Sequence, residues 1–167
     1  MIECFFDCSS PWTYLAFHNL QPLASELGVE VNWRPILVGG VFNTVNPSVY
    51  EQRATPVPAK ARYMKKDLGD WARAAGIAII FPPKVFPVNS VKAMRGCVWL
   101  APQGQLVGFA TKVFEAYWGE DRDGAVKATA NTYAKRRRWH EGSLILLDIL
   151  KRTRPKNPPK SGSTWLP

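Results

Sequence analysis

The chain opens on a short apolar run, Ile2-Glu3-Cys4-Phe5-Phe6, followed at once by Asp7-Cys8-Ser9-Ser10-Pro11. An apolar run that stops at a turn signal reads as a buried strand. Ser10 before Pro11 marks a helix start, because serine caps a free backbone N–H and proline suits the first helical position. Apolar residues recur at Tyr14, Leu15, Leu20, Leu23, Ala24 and Leu27, close to helical spacing, and Gly28 ends the helix. Val29-Glu30-Val31-Asn32-Trp33 alternates as a second strand, with Pro35 just beyond it. Strand, helix and strand in this order predict a βαβ unit with parallel strands.

Residues 36–58 read as a long connection rich in Gly, Asn and Pro, the kind that is usually functional or mobile. A helix is predicted from about Ala59 to Ala75, with Met64, Leu68, Trp71, Ala72 and Ala75 on one face and Gly76 as its stop. Ile77 to Phe81 is a short extended piece that runs into a proline loop, Pro82-Pro83 and Pro87. Asn89-Ser90 can cap a helix over about 90–101. Leu106, Phe109, Ala110, Val113, Phe114 and Tyr117 then hold helical spacing over three turns. Leu144 to Leu150 is apolar with one Asp and fits strand or helix equally. The pattern contains no internal repeat. It predicts an α/β chain: a βαβ start followed by a mostly helical block.

Composition narrows the class. A chain of 167 residues, 46% hydrophobic and 21% charged, is that of one globular domain, long enough to fold without disulfides or metal. No apolar run approaches the roughly 20 residues of a membrane-spanning helix. No basic stretch followed by a long apolar one opens the chain, so a cytoplasmic protein is expected. Cys4, Cys8 and Cys97 form no C-x-x-C, and with His18 and His140 they offer no zinc spacing. No metal is expected, and the thiols read as small buried hydrophobes.

The net charge of +9 is unevenly placed. Residues 1–120 hold 11 Lys and Arg against 9 Asp and Glu, net +2; residues 121–167 hold 11 against 4, net +7. The basicity belongs to the tail. Lys135-Arg136-Arg137-Arg138 with Trp139, and the stretch from Lys151 to Lys160, could bind phosphates, which makes nucleic acid an alternative partner. Residues 151–167, basic and rich in Pro, read as a disordered tail.

Ser10 is the residue with the most chemical promise. It stands where a strand meets a helix N-terminus, whose partial positive charge stabilises an anion or a thiolate. As a nucleophile it lacks a base, since neither histidine is placed to serve. As a hydrogen-bond donor to a bound thiolate it needs none. On the residues alone, plain helix capping explains it as well.

The stretch Phe5-Phe6-Asp7-Cys8-Ser9-Ser10-Pro11-Trp12-Thr13-Tyr14-Leu15-Ala16 resembles the opening of the 2-hydroxychromene-2-carboxylate isomerases, in the DsbA-like, kappa-class glutathione transferase group. Further matches follow in order. They are Arg34-Pro35 with Val38-Gly39-Gly40-Val41-Phe42, Asn46-Pro47, Val57-Pro58-Ala59-Lys60 with Tyr63-Met64, and Asp67-Leu68 with Trp71-Ala72. Phe86-Pro87-Val88-Asn89-Ser90, Ala93-Met94-Arg95-Gly96 and Phe114-Glu115-Ala116-Tyr117-Trp118-Gly119-Glu120-Asp121 complete the series. Each is weak alone; their shared order is specific, from residue 2 to about 123.

The resemblance implies a thioredoxin-like fold with a helical insertion and glutathione as cofactor. Ser10 matches the serine that stands where a disulfide oxidoreductase carries its reactive cysteine. It would hold the glutathione sulfur as thiolate for reversible addition to a conjugated aromatic carbonyl substrate, giving cis–trans isomerisation. Asn46 and Lys60 match residues near the anionic cofactor; their plainer readings are a turn residue and a solvated helix face. Trp12, Phe86 and Asn89 would contact the substrate, with Phe42 as a further aromatic wall; core packing and helix capping are their plainer readings. A homodimer is a possible assembly. A disulfide oxidoreductase of the same fold is the remaining alternative, disfavoured because no C-x-x-C opens the helix.

The resemblance also implies a Gly-x-Pro-Thr loop with a cis proline beside the serine, but none occurs after residue 123. Val126-Lys127-Ala128 and Ala130-Asn131-Thr132 still match; beyond them the likeness stops. The expectation is an incomplete C-terminal thioredoxin half, from an internal deletion with a frameshifted or recombined ending, and with it impaired activity. The predicted organisation is 1–46 for the thioredoxin-like βαβ part and 47–123 for the helical insertion. A degenerate remainder over 124–150 and the basic tail over 151–167 follow.

Overall fold

The computed structural model describes residues 1–46, 48 and 54–122. Strand β1 (Ile2–Phe6) passes through the turn Asp7–Ser10 into helix α1 (Pro11–Glu26). Strand β2 (Val31–Pro35) lies parallel to β1, with Ile2 opposite Val31 and Phe6 opposite Pro35. This is the βαβ unit that the pattern predicts. Strand β2 starts later than the alternation suggests, because the Val29 N–H donates to the Ala24 carbonyl at 2.9 Å and closes α1 instead. Pro35 sits at the strand's end, where its missing N–H costs the ladder least; the Ile36 N–H donates to Phe6 at 3.0 Å.

The expected long connection after β2 is partly helical: α2 spans Val38–Val45. Val38, Val41, Phe42 and Val45 repeat at helical spacing, a signal masked in sequence by Gly39-Gly40 and the Asn and Pro that follow. Helix α3 (Pro58–Ala74) touches α1 and buries Leu68 and Ala72. Gly28 and Gly76 end α1 and α3 with positive φ of 61° and 67°, in the left-handed region that glycine enters without strain.

Helix α4 (Val91–Leu100) leads through a tight turn at Ala101–Gln103 to α5 (Leu106–Phe114). The predicted continuation of α5 through Tyr117 loosens into a π turn, Glu115–Gly119. Helix α4 buries Ala93, Met94, Cys97 and Leu100 along one stripe, against Phe109, Val113 and Phe114 of α5. Between sheet and helices, Phe17 contacts Phe6 at 5.1 Å, Trp33 at 4.3 Å and Phe114 at 5.2 Å between ring centroids. Each such ring contributes roughly 1.5–3 kcal/mol by leaving water.

Residues 77–90 form no regular element. They are held to the π turn: the Ile80 N–H donates to the Trp118 carbonyl at 2.7 Å, and the Tyr117 hydroxyl donates to the Val85 carbonyl at 2.6 Å. The Lys84 N–H donates to Asp121 at 2.9 Å. The Phe81–Pro82 and Phe86–Pro87 bonds are cis.

Among the described residues the sheet has two strands, no helix is long and apolar enough to cross a membrane, and no metal-ligating cluster forms. The predicted degenerate remainder over 124–150, the apolar run Leu144 to Leu150, and the basic tail with Lys135 to Arg138 and Lys151 to Lys160 lie outside the described residues.

Candidate active site

The turn between β1 and α1 is built by Asp7 and Ser10. The Ser10 N–H donates to the Asp7 carbonyl at 3.2 Å, and the Ser9 N–H donates to the Asp7 carboxyl at 2.9 Å. Ser10 is extended, at φ −109° and ψ 124°, and its Oγ accepts the Thr13 N–H at 3.2 Å. It is therefore the N-cap of α1. That bond uses a lone pair, so the hydroxyl proton can still be donated to a ligand.

A cleft of 610 Å³ opens beside this turn. Its floor is Asp7, Ser9, Ser10 and Pro11, with Trp12 on the first turn of α1. One wall is Leu37 to Gly40 with Phe42 of α2; another is Met64 and Leu68 of α3. Phe81 and the run from Phe86 to Val91 close the third side. The space suits a ligand with an aromatic part, and its polar side chains are few: Asp7, Ser9 and Ser10 from the turn, and Asn89 and Ser90 from the segment before α4.

The structure brings Ser10, Trp12, Phe42, Phe86 and Asn89 to one cleft. Asn89 also caps α4, since its Oδ1 accepts the Val91 N–H at 3.1 Å; the Ser90 side chain makes no cap bond and is buried on the cleft wall. Lys60 and Asn46 do not line the cleft. Lys60 is exposed, one turn ahead of Met64 and two ahead of Leu68 on α3. Asn46 is exposed at the end of α2, four residues past Phe42, and its Oδ1 accepts the Ser48 hydroxyl at 2.6 Å.

Two residues that shape the site escaped the sequence reading. Asp7 was legible only as part of a turn signal, yet it is 2% exposed and lines the cleft. Trp118 reads in sequence as a helix end. In the fold its indole N–H donates to the Cys8 carbonyl at 3.0 Å, and its ring lies 6.3 Å from Phe81 and 6.1 Å from Phe86.

Residues 1–142 match the family model described as the DSBA-like thioredoxin domain. The chain belongs to the DsbA-like thioredoxin family. The match runs past Thr132, where the motif likeness ends. A 2-hydroxychromene-2-carboxylate isomerase of Pseudomonas putida is 30% identical over 123 residues, covering 72% of this chain and 57% of that protein. One of the same name from Pseudomonas sp. (strain C18) is 29% identical over 123 residues, covering 72% and 54%. The chain thus spans little more than half the length of these curated relatives. A solved structure of 2-hydroxychromene-2-carboxylate isomerase superposes with a TM-score of 0.58 over 89% of this chain and 80% of that one, at 24% identity. That likeness confirms the thioredoxin-like α/β fold.

In this DsbA-like domain no thiol opens α1. Cys8 precedes the helix and is buried, as is Cys97. Burial pushes the Cys8 thiol well above its ordinary value; the hydrogen bond with Cys97 and the nearby Cys97 and Asp7 charges push the same way. A thiol so placed is a poor nucleophile. Cys4, half-buried on β1, is raised by burial too. The serine hydroxyl, not a cysteine, is the group this domain presents at the helix start.

Proposed function

We propose that this chain carries the cofactor and substrate cleft of a glutathione-dependent cis–trans isomerase for conjugated aromatic carbonyl compounds, of the kind named by its 2-hydroxychromene-2-carboxylate isomerase relatives. The observation that carries this reading is the Ser10 hydroxyl, capping α1 at the floor of a cleft lined by Trp12, Phe42, Phe81 and Phe86.

The donor set suits a sulfur anion. Ser10 can donate its proton to it, and the α1 N-terminus adds partial positive charge. Pro11 withdraws no donor there, because the first helical N–H has no partner within the helix. Lys60 stands on the helical face that Met64 and Leu68 continue into the cleft, where a flexible ammonium can meet a carboxylate at the rim. Asn46 closes α2 four residues past Phe42, outside the cleft lining, and would reach a bound cofactor only from there. Glutathione would supply the thiolate that adds reversibly to the conjugated carbonyl compound, so that rotation and elimination yield the isomer. The chain's own part is to hold the sulfur at Ser10, stack the aromatic substrate between Trp12 and Phe86, and orient it through Asn89.

The test is conversion of 2-hydroxychromene-2-carboxylate, followed by absorbance, with and without glutathione. Glutathione-dependent conversion by the native chain that falls on Ser10→Ala supports the reading. Equal conversion without glutathione defeats it.

A further inference from the structure

Asp7 is buried and lines the cleft, and both of its carboxyl oxygens are used. Oδ1 accepts the Ser9 N–H at 2.9 Å, a local turn two residues long. Oδ2 accepts the Val38 N–H at 2.8 Å, from 31 residues away. Its backbone carbonyl takes a third donor, the Ser10 N–H. Val38 is the first residue of α2, and the residue before it, Leu37, makes no side-chain cap. Helix α2 is therefore capped by a carboxyl group reaching from another element. A negative group at a helix N-terminus is favourable, so the bond has a physical reason on both sides.

Ser9 and Ser10 line the cleft floor, and Leu37 to Gly40 line the wall that rises beside it. The β1–β2 ladder ties the two segments as far as Ile36, whose N–H donates to Phe6, and the Asp7–Val38 bond carries that tie into the first turn of α2. We propose that Asp7 is a positioning residue, whose two carboxyl oxygens hold the Ser10 turn and the first turn of α2 in register at the ligand cleft. That these walls receive glutathione rests on the proposed function; that Asp7 joins them does not.

Asp7→Asn keeps the shape but exchanges one acceptor oxygen for an N–H2 group, which faces a donor with a donor. Val38→Pro removes the other end of the same bond. Proline is tolerated at the first helical position, and Leu37 is already extended, at φ −109° and ψ 97°, so it needs only a small rotation to reach the range favoured before proline. Both variants, their combination and the native full chain are compared by amide hydrogen exchange and by glutathione calorimetry.

Each single variant should exchange faster by about tenfold or more at Val41 and Phe42, the scale of one buried hydrogen bond lost, while Ser9, whose bond to Oδ1 survives Val38→Pro, should follow only in Asp7→Asn. Phe109 to Phe114 should exchange as in the native chain, which a general loss of structure would not allow. Glutathione affinity should fall by a similar factor, and the combination should be no worse than either single change. Native protection at α2 and native affinity in Asp7→Asn would overturn the proposal. If Asp7→Asn does not fold, Val38→Pro decides alone, and unchanged protection there overturns it. If the native chain binds no glutathione, the functional reading fails and the exchange data still judge Asp7.

Discussion

The indole N–H of Trp118 donates to the carbonyl oxygen of Cys8 across 3.0 Å, joining residues 110 positions apart. Cys8 leads into the Ser10 turn, and Trp118 packs on Phe81 and Phe86, which also line the cleft. One side chain therefore ties the segment leading to Ser10 to the Phe81 and Phe86 rings. The π turn makes this possible by carrying Tyr117 and Trp118 together: Tyr117 holds Val85 while Trp118 holds Cys8.

Trp118→Phe keeps most of the ring and removes the donor. The buried Cys8 carbonyl is then left without that partner, at a cost of about 1–3 kcal/mol. Trp118→Ala also opens a cavity and should cost about 3–5 kcal/mol. Urea denaturation measures both. The ordering native, Phe, Ala is the expected outcome, and a Phe variant as stable as the native chain would show that the bond contributes nothing.

Gly96 lies against Phe109. A Cβ at residue 96 would sit 2.8 Å from both Cε1 and Cζ of that ring, which is itself buried. Gly96→Ala should therefore destabilise by about 1–3 kcal/mol, the usual cost of overpacking. The gain in helix propensity, about 1 kcal/mol, is too small to reverse the sign. Adding Phe109→Leu should recover part of the loss, and a thermal melt reads both.

The buried thiols make stability fall at alkaline pH. The folded state raises the Cys8 thiol above its ordinary value of 9.0, and Cys4 is raised as well. A raised group holds its proton longer in the folded chain than in the unfolded one. Its contribution is complete below 9.0 and is lost as pH climbs from there through the folded-state value. Tyr14, raised by burial and by Glu115, adds to the loss at higher pH. Denaturation midpoints should drop above pH 9.0, and Cys8→Ala should flatten the slope. With a thiol-reactive disulfide reagent, Cys4 should react in the native chain, Cys8 and Cys97 only on unfolding.

Much of this arrangement was legible in the residues. Ser10-Pro11 announced α1, and the helical spacing from Leu106 announced α5. Helix α2 was not legible, because its four apolar positions surround two glycines and its cap is Asp7, which lies far back in the chain. Asp7 and Trp118 escaped for the same physical reason: their partners are 31 and 110 residues away, and local pattern carries no trace of a bond that long. Trp12 and Phe86 were visible as aromatic residues near turns, but only packing shows that they face one cleft.

Binding of glutathione through its sulfur in the Ser10 cleft, as proposed, is tested by calorimetry of the full chain with Ser10→Ala alongside. Losing the cap alone costs about 1 kcal/mol of stability, so both proteins should still be folded at room temperature. The native chain should bind, and Ser10→Ala should lose roughly 10- to 100-fold, the worth of a hydrogen bond to a charged group. S-methyl glutathione, which cannot form a thiolate, should bind the two proteins more nearly alike. No heat of binding from folded native protein, or equal glutathione affinity in the two, would contradict the account.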